Sequence, residues 1–397
     1  MKPKIIGNLI LEKKLGKGSY GVVFFTTLKD DKTKKLATKR ISRDIEKNEK
    51  ALNYFKNEIG IMTNLDHPNI AKFHSLSKTE KYFYLTMEYC NGGNLYDALE
   101  KYKKIYEKPF SEEIVQHFMR QIIDAFKYIH SQKIIHRDIK LENILINFES
   151  EKDKNEFNLM KAQIKIIDFG FSCYVGKSGK VFSTVGTIIT MDPTILRRHI
   201  DGRKQRKLGY DQKADIWSLG TICYEILIGK PVFDSDDILL LIEKVENGSY
   251  TVPTTLSHEV VSFINGMLQY DYQKRLSCEE LSRHPFLIKE VEDFKPIDLQ
   301  KASKKINKSG LHINTKENKS IWGIFNAADE KKLVMINRKN ALREKDFAEM
   351  NLEDLMFPPE EKPENQEENG KKEDQKEEQK ENNKKEDKKV DEEKKKK

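Results

Sequence analysis

Gly16-Lys17-Gly18-Ser19-Tyr20-Gly21-Val22-Val23 sets three glycines in a GxGxxG spacing with an apolar pair behind them. Without a Cβ, such backbone can approach a phosphate closely and adopt positive φ. The pattern fits an ordinary glycine-rich hairpin equally well. A dinucleotide site would need a helix straight after the glycines, yet Val22-Val23-Phe24-Phe25 reads as a strand, which favours a flap over nucleotide phosphates. Lys39 follows in the strand-like run Leu36-Ala37-Thr38-Lys39-Arg40-Ile41, and Glu58 lies in a helical stretch from about 48 to 64. Each alone reads as a solvated surface residue. Paired between a strand and the helix packed on it, the carboxylate would steady the lysine against two phosphates.

The sharper signal is His136-Arg137-Asp138-Ile139-Lys140-Leu141-Glu142-Asn143, followed by Asp168-Phe169-Gly170 after the strand 163–167. These motifs make the chain resemble a eukaryotic protein kinase, with its HRDxKxxN catalytic loop and DFG motif. The glycine run, Lys39 and Glu58 fall in the family's order. Asp215-Ile216-Trp217-Ser218-Leu219-Gly220, Arg275 and His284-Pro285-Phe286 resemble the later motifs, so the likeness covers about Ile6 to Leu287.

The resemblance implies roles and cofactors: ATP as phosphoryl donor and Mg²⁺. Gly16, Lys17, Gly18, Ser19, Tyr20 and Gly21 would cover the phosphates. Lys39, locked by Glu58, would hold two of them. Asp138 would take the hydroxyl proton, Lys140 would neutralise the γ-phosphate, and Asn143 and Asp168 would bind magnesium. Met87 would be the gatekeeper, with backbone groups of Glu88 and Cys90 reaching the adenine and Val23, Ala37 and Leu145 sandwiching it. Phosphoryl transfer needs mainly positioning and cancellation of charge, which suits cations, one base and hard oxygen ligands. Lys140 and Thr187 resemble the serine/threonine branch, and the nearest groups are calcium/calmodulin-type or autophagy-initiating kinases. The partners implied are proteins with Ser or Thr acceptors and an upstream activating kinase. Arg137 before Asp138 marks relatives that need a phosphate on the activation segment, for which Ser183 and Thr184 are the candidates, Ser183 first. Glu142 and Glu225 match acids that hold an upstream arginine in basophilic relatives, although Asn94 replaces a third. Ile188 suggests an apolar pocket for the residue after the acceptor.

The chain departs from the family at Asp192-Pro193-Thr194, where the motif is Ala-Pro-Glu. The family's glutamate pairs with the arginine matching Arg275. With Thr194 there, Arg275 must reach water, bond the Thr194 hydroxyl and nearby carbonyls, or take a carboxylate from Asp192. The hydroxyl-and-carbonyl answer is expected, because Asp192 and Thr194 need not face the same side. A polar insertion over about 148–162 is expected as a surface hairpin extension. The basic residues 197–199 and 203–207 read as a solvated loop, a docking patch or localisation signal being the alternative.

Positioning these residues calls for a two-lobed α+β fold. Strand patterns dominate to about residue 90, at Ile10-Leu11, Val22–Phe25, Leu36–Thr38 and Tyr82–Leu85, interrupted by the one helix. After residue 95 the helical period takes over. Ile114, Val115, Phe118, Ile122, Ala125, Phe126 and Ile129 make one buried face, and Trp217–Ile228 is apolar almost all round, so it should be central. The expected organisation is a kinase domain over 1–287 (N-lobe about 6–88, C-lobe about 91–287), a partly ordered extension over 288–357 containing Ile321–Phe325, and a disordered Lys/Glu-rich tail over 358–397. That tail, with Val390 as its one aliphatic residue, cannot bury enough area to offset chain entropy.

Composition narrows the alternatives. The 397 residues carry 72 Lys+Arg against 64 Asp+Glu, a net +8 spread over both signs, so nucleic acid is not expected as a partner. No apolar run approaches the ~18 residues of a membrane span, and no secretory signal is read. Four scattered cysteines, Cys90, Cys173, Cys223 and Cys278, fit a reducing compartment, so a cytoplasmic location is expected and a nuclear one is compatible. Two rivals share the fold. A pseudokinase scaffold is disfavoured by the full set Lys39, Glu58, Asp138, Asn143 and Asp168, and a small-molecule kinase by Thr187.

Overall fold

Alternating apolar residues build the first lobe as an antiparallel sheet in the computed structural model, which describes residues 3–290 except Ser19, Tyr20, Lys177, Ser178, residues 202–208, Asp236 and Ser249. The expectations for Ser19, Tyr20, residues 203–207 and everything from 291 onwards lie outside the described residues. Strands β1 (Lys4–Ile6), β2 (Leu9–Gly18), β3 (Gly21–Leu28), β4 (Leu36–Ser42), β5 (Phe73–Lys78) and β6 (Tyr82–Glu88) pair in the order β1-β2-β3-β4-β6-β5. Helix α1 (Glu49–Met62) begins at Asn48, whose side chain accepts the Ala51 N–H at 3.2 Å, and so satisfies one of the open donors of its first turn. It buries Phe55, Glu58, Ile59 and Ile61. The opposite face of the sheet packs Leu9, Leu11, Phe24, Leu28, Leu36 and Tyr84.

The second lobe is mostly helical: α2 (Leu95–Tyr106), α3 (Glu112–Ser131), α4 (Glu151–Asn155), α5 (Pro193–Asp201), α6 (Lys213–Ile228), α7 (Ile238–Asn247), α8 (His258–Met267), α9 (Cys278–Ser282) and α10 (Pro285–Ile288). Two short ladders join strands β7 (Ile134–Ile135) with β10 (Cys173–Tyr174), and β8 (Ile144–Phe148) with β9 (Ala162–Ile166). The apolar face predicted for α3 is buried, and α6 buries nearly its whole circumference, as its sequence requires. Gly229 ends α6 in the left-handed region at φ +81°, its N–H closing on the Glu225 carbonyl at 2.7 Å.

The expected surface hairpin at 148–162 is only half right. Its strands β8 and β9 do pair, but the tip is the helical turn α4, capped by Ser150, whose hydroxyl accepts the Asp153 N–H at 3.0 Å. Strand β5 was not legible, because only Leu76 of its six residues is buried.

Candidate active site

Asp215, at the start of α6, holds the catalytic loop from below. Its carboxylate accepts the backbone N–H groups of His136 and Arg137, each at 2.9 Å, and meets the His130 ring at 2.9 Å. Burial alone would raise its pKa, but these partners hold it below the usual carboxylate range. So fixed, the loop presents Asp138. The Thr187 hydroxyl donates to Asp138 Oδ1 at 2.6 Å, and Lys140 Nζ lies 3.4 Å from Oδ2 and 3.3 Å from Thr187 Oγ1. Burial would lower the Lys140 pKa; Asp138 and Glu142 more than offset that and raise it. The Asn143 amide donates to the Asp138 carbonyl at 2.9 Å, and no donor among the described residues takes its Oδ1. Arg137 and Asp168 both adopt positive φ, +71° and +64°, uncommon for residues with a Cβ and held here by the surrounding bonds. Gly186, at φ +118°, passes so close to the Arg137 carbonyl that a side chain there would collide with it.

Across the cleft, Lys39 on β4 meets Glu58 on α1 at 3.1 Å. Burial raises the Glu58 pKa, opposed by Lys39 and reinforced by Asp168. Asp168 is depressed despite burial, because Lys39, the Gly170 N–H at 3.3 Å, His136 and Lys140 all favour its anion. Sheet and loop therefore converge on one carboxylate. Gly16, Lys17, Gly18 and Gly21 form the end of the β2–β3 hairpin, with open space at the Gly16 Cα. Gly21 is required for packing, since a Cβ would strike the Arg40 backbone. Ala37 pairs with Met87 in the β4–β6 ladder, Val23 lies one strand over opposite Lys39, and Leu145 on β8 is half-buried below. Glu88 ends β6 and Cys90 follows, its thiol pushed up to about 12 by burial and by Glu88.

Below the activation segment the outcome differs from expectation. Arg275 is fully buried and pairs with Asp192, while the Thr194 side chain is not its partner. Its Nε and Nη1 also donate to the Gln269 carbonyl at 2.6 Å and the Lys213 carbonyl at 2.9 Å, so the carbonyl half of the expectation holds and the hydroxyl half fails. The reason is local. Asp192 precedes α5 and caps it, its Oδ1 accepting the Thr194 N–H at 2.7 Å, and this turns Oδ2 towards Arg275.

The protein kinase domain family matches residues 9–287. The chain belongs to the protein kinase family. It is 31% identical over 281 residues to an Aurora kinase of Candida glabrata, covering 70% of each chain. It is 32% identical over 287 residues to a probable myosin light chain kinase of Dictyostelium discoideum, covering 71% of this chain and 84% of that one. A probable serine/threonine-protein kinase of the same organism is 29% identical over 341 residues, 85% of this chain, which spans only 38% of that protein.

Three features of this kinase escaped sequence reasoning. Lys165 on β9 reaches Glu88 at 2.7 Å, joining the second lobe to the linker between lobes; its apolar neighbours gave no hint of a buried cation. Asn57 on α1 donates to the Ser172 carbonyl, and Tyr54 sets its ring edge-on to Phe171 at 5.8 Å, so α1 is latched to the start of the activation segment. Asp215 appeared in the sequence only as a motif letter. Arg137, by contrast, meets the Ser183 hydroxyl and the carbonyl of Phe171, and it makes no ion pair among the described residues.

Proposed function

We propose that this protein transfers the γ-phosphate of ATP to Ser or Thr hydroxyls of protein substrates. The observation that carries the reading is that both halves of the site are assembled together: Lys39 on Glu58, and Thr187 on Asp138 beside Lys140. Asp138 orients the substrate hydroxyl and takes its proton as the oxygen bonds to the γ-phosphorus and the bond to the ADP oxygen breaks. Lys140 and Lys39 offset phosphate charge. Asp168, anionic at neutral pH, and the unengaged Asn143 Oδ1 are hard oxygen donors suited to Mg²⁺, which when bound would neutralise charge on the phosphate oxygens. The glycine hairpin, Val23, Ala37, Leu145, Met87 and the backbone at Glu88 and Cys90 enclose the nucleotide. The test is transfer of labelled phosphate to paired serine and tyrosine peptides. Serine labelling is expected, and ATP binding without turnover would return the scaffold reading.

A preference for basic substrates belongs to this proposal. Burial, with Glu142 close by, carries the Glu225 pKa up to about 7, and Glu100 and Asp234 add to it while Lys103 opposes it. A cation from the substrate would offset that excess of carboxylates. Glu225 gains its charge as pH rises through 7, so KM for a peptide with an upstream arginine should fall from pH 6 to 8 relative to its alanine twin. Parallel profiles would remove Glu225 from the pocket. Ser183 is the preferred regulatory acceptor, because a phosphate there would bring an anion to Arg137, a buried cation whose own partners are neutral oxygens. Alanine at 183 should then abolish the response to an upstream kinase. A cytoplasmic location completes the proposal and is checked by fractionation.

A further inference from the structure

Thr187 ties one end of the substrate-facing segment to Asp138 and Lys140, and Asp192 ties the other end. Between them runs one 3-10 turn, with the Thr190 N–H on the Thr187 carbonyl at 3.1 Å and the Met191 N–H on the Ile188 carbonyl at 3.2 Å. The Ser218 hydroxyl on α6 grips the Thr190 carbonyl at 2.7 Å. Asp192 uses both carboxylate oxygens: Oδ1 caps α5 through the N–H groups of Thr194 and Ile195, at 2.7 and 3.3 Å, and Oδ2 meets Arg275. The Arg275 guanidinium lies over the Trp217 ring, 5.0 Å from its centroid, inside the lobe's central packing.

We propose that Asp192 is the positioning residue for the protein substrate: the anchoring carboxylate has moved from position 194 to position 192, and through it the buried Arg275 fixes where the acceptor chain meets Asp138. The inference rests on the kinase reading, since it concerns the substrate of that reaction. Its physical basis is continuity. The segment from Thr187 to Asp192 is short, internally hydrogen-bonded and pinned at both ends, so release at Asp192 is felt at Thr187 and at the acceptor site. Lys39, Glu58 and Asp168 stand on other elements, so the nucleotide should hardly notice.

The experiment uses the full chain and measures KM for a serine peptide and for ATP separately, with melting temperature alongside. Asp192→Ala should raise peptide KM roughly ten-fold or more and leave ATP KM within about two-fold. Asp192→Asn keeps an oxygen for the α5 cap but loses the charge, and should show the same peptide defect with a smaller melting change. Asp192→Ala combined with Thr194→Glu puts the carboxylate back at the family's position and should bring peptide KM to within about three-fold of wild type. If Asp192→Ala does not fold, the asparagine and double variants carry the test. Peptide KM unchanged in Asp192→Asn, equal losses for ATP and peptide, or a double variant that regains melting temperature without peptide KM would each overturn the inference. Wild-type protein that phosphorylates no peptide would overturn the kinase reading itself, and with it this one.

Discussion

At the phosphate-facing end of the cleft, Lys39, Glu58, Asp138, Asn143 and Asp168 stand where the family motif puts them. Below the activation segment, Arg275 keeps its place but draws its carboxylate from Asp192, two residues away from the family's position. The contrast separates two kinds of constraint. Groups that must reach a fixed arrangement of phosphate oxygens and a hydroxyl cannot move along the chain without moving in space. A buried cation asks only that a carboxylate arrive, from whichever residue the backbone allows. Chemistry at the first site is tied to position, and charge balance at the second is not.

That distinction is open to test. Asp138→Asn should lose phosphotransfer by about 10²–10⁴-fold, since the amide keeps the shape but cannot take the proton, while melting stays near wild type. A variant within a few-fold of wild type would end Asp138's assignment. Lys39→Met removes one preorganised charge and should cost about 10²–10³-fold in kcat. It also strands the buried Glu58 carboxylate, so some loss of melting temperature accompanies it. Arg275→Ala should invert that balance. Leaving Asp192 buried without its cation costs about 3–5 kcal/mol, or roughly 10 °C at this size, and the loss should fall on stability before kcat. A melting shift under a few degrees would mean that the pair's charges are met some other way.

The last test concerns pH. His130 would be pushed down by burial, but the Cys278 sulfur at 3.6 Å and the Asp215 carboxylate at 2.9 Å carry it from 6.5 up to about 10. A folded pKa above the unfolded one gives stability that is full below pH 6.5 and drains away as pH climbs towards 10. Asp215 is depressed, so its contribution is present above the ordinary carboxylate range and lost in acid. Melting temperature should therefore keep declining above about pH 7, where Glu225, raised to about 7, has already lost its proton, and His130→Asn should flatten that later decline. Equal slopes in the two proteins would show that the ring is neutral.

Much of this was readable in the sequence, for a reason visible in particular residues. Lys39, Glu58 and the 136–143 loop sit in short motifs whose spacing is set by one strand, one helix turn or one loop, so local order carries their geometry. The apolar faces of α3 and α6 were legible because a 3.6-residue period survives in any context. Asp192 was not legible, because which side it faces depends on the 3-10 turn before it and the helix it caps, and neither follows from residue types alone. Lys165 and Glu88 meet across the join between lobes, where no local period reports on the partner. Residues 148–162 read as a plain hairpin because the serine that caps α4 also suits a loop.

Met87 faces Ala37 across the β4–β6 ladder, just where the sheet passes into the linker behind the proposed adenine site. With a purine lying there, that one side chain would set how deep it reaches. Trimming it to glycine, at about 1 kcal/mol for the strand, should hollow out space for a bulky group on the purine amine that the natural methionine shuts out. Fed such an enlarged nucleotide carrying a thiophosphate, the altered enzyme should use it where the unaltered one does not. Proteins thiophosphorylated only with the altered enzyme would then be direct substrates, and the molecule would report its own targets.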